Sequence, residues 1–185
     1  MCKCNNIYKY SESGLHHECG VLGIYGVPEA ANLAYYGLHA LQHSGQQGCG
    51  IVSVDSEGEF HRYKGDGLVT EVFNEEKISK LQGSMAIGHV RYSNAKCKGT
   101  ENIQPFLFHH NSGDFAMANN GSIVNYRQLR MELEDKGSLF QSSSDAEVLA
   151  HLIKKQGAYN NVPRIVAIKD ALNQMDGAYA FLIMT

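Results

Sequence analysis

Cys19 and Gly20 stand in front of an apolar run, VLGIYG, and behind eighteen mostly polar residues with no periodic pattern. A thiol is a modest nucleophile until a base takes its proton, because its ordinary pKa is about 8.5. If the chain were cut after Glu18, the α-amino group of Cys19, with a pKa of about 7.7–8.0, could act as that base. The leader MCKCNNIYKYSESGLHHE would then mask the base until its removal. Two plainer readings stand beside this one. Cys19 could be a small buried side chain at a strand start. It could also ligate a metal with His16, His17, Cys2 and Cys4, although no C-x-x-C pair supports that geometry.

Three further places could do chemistry. Arg91, in GHVRYSNAK, offers a guanidinium fork for a substrate carboxylate, or it is a solvated loop arginine. In Asn119-Asn120-Gly121 the Asn120 amide and the Gly121 N–H could hold a developing oxyanion, or the pair is a tight Asn-Gly turn. Asp145, after three serines, could pair with a substrate ammonium group or simply favour a helix start. The nine histidines are scattered, and the pairs His16-His17 and His109-His110 fall in tail and turn, so solvated histidines are expected.

These residues need elements to place them. Val21 to Tyr25 reads as a buried strand, and Glu29 to His43 as a helix with Ala34, Leu38 and Leu41 on one face. Gly50 to Asp55 and Glu59 to Lys64 form a candidate hairpin across Ser-Glu-Gly. Met85 to Val90 is a strand that delivers Arg91, followed by an irregular stretch to Gln104. Pro105 to Phe108 and Phe115 to Asn119 flank a turn at Asn111-Ser112-Gly113-Asp114. Helices are expected over Asn125 to Lys136, from Ser144 with a Ser144–Glu147 capping box, and from about Pro163 to Met175. Ala178 to Met184 is a last strand with no turn after it, which suggests a piece of a longer protein.

Composition narrows the class. The chain has 185 residues, 43% apolar and 19% charged, with a net charge of −3. That is one ordinary globular domain with no nucleic-acid footprint. Residues 32–54 carry no formal charge but hold His39, Gln42, His43, Gln46 and Gln47, too polar for a membrane span. An odd count of five cysteines without a secretory signal points to a soluble, cytoplasmic protein with reduced thiols.

The motifs ECGVLGIYG, YYGLHALQHSGQQGCGIV, KGDGLVTEVF, GHVRYSNA, ENIQPF, ANNGSIVN, SSSDAEVLAHLI and DGAYAFLIMT occur in order along the chain. Together they resemble the glutaminase domain of the phosphoribosylpyrophosphate amidotransferases, within the N-terminal-nucleophile (class II) glutamine amidotransferase family. The resemblance implies an α+β fold, a four-layer αββα sandwich of antiparallel sheets, here incomplete at its C-terminus. Residues 1–18 would be a propeptide-like leader and 19–185 the class II amidotransferase domain, with the phosphoribosyltransferase domain absent. Cys19 would be the nucleophile, Asn120 and Gly121 the oxyanion hole, Arg91 the carboxylate clamp and Asp145 the ammonium partner of L-glutamine. Ammonia would leave through a cysteinyl thioester and serve phosphoribosylamine synthesis in purine biosynthesis.

The resemblance also implies a homo-oligomeric full enzyme with no nucleic-acid or membrane partner. It implies no metal or cofactor in this chain, any iron–sulfur cluster or magnesium ion belonging to the absent part. Alternatives are an unprocessed, non-catalytic fragment and the glutaminase domain of another class II amidotransferase. The chain departs from the family pattern at Ser44, where arginine is common, at Asn94, usually threonine, and at Lys96-Cys97, where glycines are frequent.

Overall fold

The computed structural model describes residues 19–92, 100–110, 113–160 and 162–185. Two antiparallel sheets lie face to face. The first contains β1 (Gly20–Tyr25), β2 (Gly48–Val54), β3 (Phe60–Asp66) and β4 (Met85–Arg91), in the order β1-β4-β2-β3. The second contains β5 (Phe106–Phe108), β6 (Phe115–Ile123) and β7 (Gly177–Met184), in the order β5-β6-β7. Helices α1 (Ala30–Ala40), α2 (Val69–Val72) and α3 (Glu75–Ser79) come from the first half of the chain. Helices α4 (Tyr126–Glu134), α5 (Glu147–Asn160) and α6 (Arg164–Leu172) come from the second.

Side-chain alternation along the strands sorts residues into layers. On β2, Cys49 and Ile51 pack with Ala30, Ala34 and Leu38 of α1, whereas Val52 and Val54 pack with Ala116 and Met184 of the second sheet. On β6, Met117 and Ile123 point the other way, into a core with Leu129 and Leu133 of α4, Leu149 of α5 and Ala171 of α6. Both faces of β2 are covered, and all seven of its residues are buried. The result is the expected αββα sandwich, with a thin layer between the sheets and an apolar core beneath each helical layer. Each large side chain buried in these cores, such as Leu38, Ile51 or Leu149, contributes about 1.5–3 kcal/mol.

The hairpin across Ser-Glu-Gly forms with Val54 opposite Phe60, and β4 delivers Arg91 as its last residue. Several local expectations shift. α1 ends at Ala40 rather than His43, and Gln42–Ser44 tightens into a 3-10 turn. Gln42 redirects the chain there: its Oε1 accepts the Val69 N–H and its amide donates to the Gly45 carbonyl. Ser44 lies in this turn, while Asn94, Lys96 and Cys97 lie outside the described residues. Helices α2 and α3 fall in a stretch with no sequence assignment, being too short to show a period.

The Ser144–Glu147 capping box does not form. Ser144 Oγ accepts the Ala146 N–H, and α5 begins only at Glu147. The Glu147 carboxylate reaches further back, to the N–H groups of Gln141 and Ser142 and the Ser142 hydroxyl, at 2.6–2.8 Å. Burial alone would push this carboxyl up. The nearby His151 ring, 3.6 Å away, and the hydrogen bonds from Gln141 and Ser142 outweigh burial and hold it at about 2.

A depressed carboxyl pKa stabilises the fold above the unfolded value of about 4.3, and that contribution is lost as pH falls towards 2. Glu147→Gln is therefore expected to melt several degrees below the parent at pH 7, at about 2–4 °C per kcal/mol lost. The gap should close as pH falls from 5 to 2.5. Melting curves over that range check it, and a gap independent of pH would show that the charge is not what Glu147 contributes.

Among the described residues, no helix is long and apolar enough to cross a membrane.

Candidate active site

The β1–β4 register sets the first part of the site. Gly20 faces Val90, so Cys19, one residue earlier, lies beside Arg91 and Tyr92. Cys19 Sγ accepts the Tyr92 N–H at 3.4 Å and lies 3.6 Å from the Tyr92 carbonyl. A Cβ on Gly20 would meet Val90 and Leu41, on the α1 side of the sheet. Alternation therefore turns the neighbouring Cys19 and Arg91 towards the layer between the sheets. Gln47 N–H holds the Arg91 carbonyl at 3.1 Å, fixing the end of β4 from the other flank.

The second sheet supplies the opposite wall, and both β1 and β4 contact β6 across the layer. Asn119-Asn120-Gly121 is not the turn that an Asn-Gly pair predicts. It lies inside β6, with Asn120 opposite Ala180 and Gly121 opposite Tyr179. Asn120 shares the face of Ala116, which packs between the sheets, so its amide points into the layer. Its Oδ1 is buried with no hydrogen-bond partner among the described residues. Gly121 has φ 125°, and any Cβ there would collide with the Ala178 carbonyl and with Tyr179 Cα of β7. Glycine is required by that close approach and not by a reversal of the chain.

Asp145 lies just ahead of α5 and reaches β6: its Oδ2 accepts the Ile123 N–H at 2.8 Å. Burial pushes its carboxyl up, opposed by N–H groups of Ile123, Ala146 and Asp145 itself. The carboxylate is thus tethered three residues beyond Asn120 and held in a desolvated place, with no cation beside it among the described residues. A first-turn helix charge would instead be solvated and depressed.

Not all histidines are solvated. His89, two residues before Arg91 on the same face of β4, is fully buried. Among the described residues, neither ring nitrogen has a hydrogen bond of good geometry. Burial pushes the imidazole down to about 3, the Asn119 backbone opposing and the Arg91 charge assisting. It is therefore a neutral polar group within the layer and cannot serve as an acid near neutral pH.

Among the described residues one group, Asp55, Glu59 and His61, brings three potential metal-ligand atoms within 4.8 Å of one another. Asp55 Oδ1 already accepts the Glu57 and Glu59 N–H groups and Oδ2 meets His61 Nε2, all at 2.9 Å. That cluster is accounted for as the β2–β3 turn's own hydrogen bonding. His16, His17, Cys2 and Cys4 lie outside the described residues.

Sequence reasoning did not single out Asn102, Gln104 or Glu147 as organisers of the site. The one legible signal was Pro105, which removes an N–H and so obliges β5 to stop pairing near it.

Residues 89–185 match the family model described as Glutamine amidotransferase domain. The amidophosphoribosyltransferase of Bacillus subtilis is 54% identical over 173 residues, which is 93% of this chain and 36% of that protein. The amidophosphoribosyltransferase of Lacticaseibacillus casei is 46% identical over 95% of this chain and 89% of its own length. A solved structure, glutamine phosphoribosylpyrophosphate amidotransferase from B. subtilis complexed with ADP and GMP, superposes with a TM-score of 0.82. Its identity is 52%, over 89% of this chain and 35% of that one. The chain thus spans about a third of the B. subtilis relative. Agreement of sequence and of overall fold with these proteins places it: the chain belongs to the glutamine amidotransferase family, in its amidophosphoribosyltransferase branch.

Proposed function

We propose that the chain hydrolyses L-glutamine through Cys19, as the ammonia-releasing part of an amidophosphoribosyltransferase. The observation that carries this is the convergence on one inter-sheet layer of Cys19, docked at the end of β4 beside Arg91, and Asn120 of β6. With residues 1–18 removed, the Cys19 amine takes the thiol proton and Sγ attacks the side-chain amide carbon of glutamine. The carbonyl oxygen becomes an oxyanion held by the Asn120 amide and the Gly121 N–H. Collapse breaks the C–N bond, the amine returns the proton to the leaving nitrogen, and ammonia departs from a thioester. Water attacks that thioester, releasing glutamate and restoring the thiol. Arg91 takes the α-carboxylate as a bidentate fork, and Asp145 takes the α-ammonium group.

In the whole enzyme the ammonia serves phosphoribosylamine synthesis on a separate phosphoribosyltransferase domain, in a cytoplasmic homo-oligomer. The relatives' name, amidophosphoribosyltransferase, supports the phosphoribosylamine part of that reading.

Asp145 tests the proposal, because its carboxylate is desolvated and has no cation beside it among the described residues. Asp145→Asn keeps an oxygen for the Ile123 N–H, so its melting temperature should stay close to the parent's. Its KM for glutamine should rise by at least about tenfold, since a charge-assisted hydrogen bond is worth about 1.5–3 kcal/mol. The decisive comparison is glutamine against an analogue lacking the α-amino group. The parent should strongly prefer glutamine, and Asp145→Asn should lose most of that preference. A variant that kept the parent's discrimination would remove Asp145 from the substrate site.

A further inference from the structure

Three consecutive residues, Asn102, Ile103 and Gln104, each tie a different part of the molecule to the candidate site. Asn102 Oδ1 accepts both the Ser143 N–H at 3.0 Å and the Ser143 hydroxyl at 3.1 Å, two residues before Asp145. The Ile103 carbonyl accepts Lys64 Nζ at 2.8 Å, and its side chain covers Gly48, the cross-strand neighbour of Arg91. Gln104 Oε1 accepts the Asn119 N–H at 2.6 Å, directly before Asn120. All three residues are buried.

The β5–β6 register explains why a side chain does this work. Phe106 faces Met117, so Gln104 stands where the strand's next backbone acceptor for Asn119 would be. Pro105 ends the ladder, and the chain leans instead onto the first sheet, where the absent Cβ of Gly50 leaves room for the Gln104 carbonyl. The Gln104 side chain replaces the missing ladder bond. One short strap thereby spans both sheets at the level of the site. An orphaned N–H at Asn119, or an untied Ser143, would leave a buried polar group without a partner and its segment free to shift.

We propose that Asn102 and Gln104 are positioning residues for glutamine turnover, Asn102 through the loop that carries Asp145 and Gln104 through the strand that carries Asn120 and Gly121. This rests on the glutaminase reading above. The two residues therefore act on different steps. Gln104 sets where the oxyanion donors stand and should govern kcat, because a small misplacement of a transition-state donor is costly. Asn102 sets where the ammonium partner stands and should govern KM. A merely structural pair would alter both constants together or neither.

The test uses the full chain, with parent and variants matured alike, and reads glutaminase kinetics beside native-state amide exchange. Gln104→Met, of similar shape but without the acceptor oxygen, should lower kcat at least about tenfold with KM within about twofold. Asn102→Leu should do the reverse, raising KM at least about fivefold with kcat near the parent's. Gln104→Glu and Asn102→Asp keep the acceptor oxygen and should recover most of each loss. Faster exchange of the Asn119 amide in Gln104→Met, and of the Ser143 amide in Asn102→Leu, should accompany these changes.

Equal shifts in kcat and KM for both variants, or no rescue by the acceptor-keeping ones, would overturn the assignment. If Gln104→Met does not fold, Gln104→Glu decides: Asn119 protection like the parent's supports the strap, and its loss rejects it. A parent without glutaminase activity but with both exchange effects would reject the glutaminase reading and leave the strap intact.

Discussion

A chain that begins at Cys19 is expected to hydrolyse glutamine at least about 10²-fold faster than the same chain beginning at Met1, because general-base catalysis is typically worth about 10²–10⁴. The reason is elementary. A peptide nitrogen has its lone pair delocalised into the carbonyl and cannot hold a proton at neutral pH, whereas a free α-amino group can. The position of Cys19 fits this demand. Its Sγ is docked on the Tyr92 backbone at the very start of the β1–β4 pairing, so its own nitrogen stands beside its sulfur at the mouth of the inter-sheet layer. Cys19→Ser in the chain beginning at residue 19 should lose most of the activity as well, since an alcohol ionises far less readily than a thiol. Mass spectrometry of the N-terminus combined with a glutaminase assay checks both statements. Equal rates from the two N-termini would sink the amine-base mechanism whatever the serine variant did.

Asn120→Ala is expected to reduce kcat by about 10²–10³, the usual loss of one oxyanion-hole donor, with little change in KM. The structure adds a second half to this prediction. The Asn120 side chain, half-buried and facing between the sheets, has a buried oxygen with no hydrogen-bond partner among the described residues. An amide committed to the scaffold would have its hydrogen bonds made there. Removing it should therefore leave the melting temperature near the parent's, unlike most truncations of buried polar groups. A fall in stability with unchanged kcat would mean that Asn120 serves β6 and not the reaction.

Strands and the hairpin were legible because period-two alternation and turn residues are local. β4 and its delivery of Arg91, the hairpin across Ser-Glu-Gly, and the stripe of Tyr126, Leu129 and Leu133 on α4 could all be seen in the letters. What misled was chemistry with two outlets. Asn120-Gly121 looks like a turn because glycine at positive φ usually marks one. Here the positive φ goes with the approach of Ala178 and Tyr179 of β7, 57 and 58 residues further along the chain. Ser144 and Glu147 have the spacing of a capping box, yet Glu147 is drawn back to Gln141 and Ser142, which no spacing rule anticipates. The bonds from Asn102 to Ser143 and from Gln104 to Asn119 join residues 41 and 15 positions apart. Side-chain pairings across such intervals follow from the packing of two sheets, and a single sequence carries no period that announces them.

The alternation of β2 has a consequence for covalent labelling. Cys49 faces the α1 layer, where burial pushes its thiol up to about 12. At pH 7 only about one such thiol in 10⁵ is ionised, against a few per cent for an ordinary thiol. Cys19, on the opposite face of the same sheet, opens to the inter-sheet layer and is partly exposed. The fold therefore sorts the two described cysteines by accessibility to electrophiles. A soft alkylating reagent carrying a glutamine-like amino-acid head would be steered to Cys19 while Cys49 stayed untouched, so its uptake would count competent sites directly.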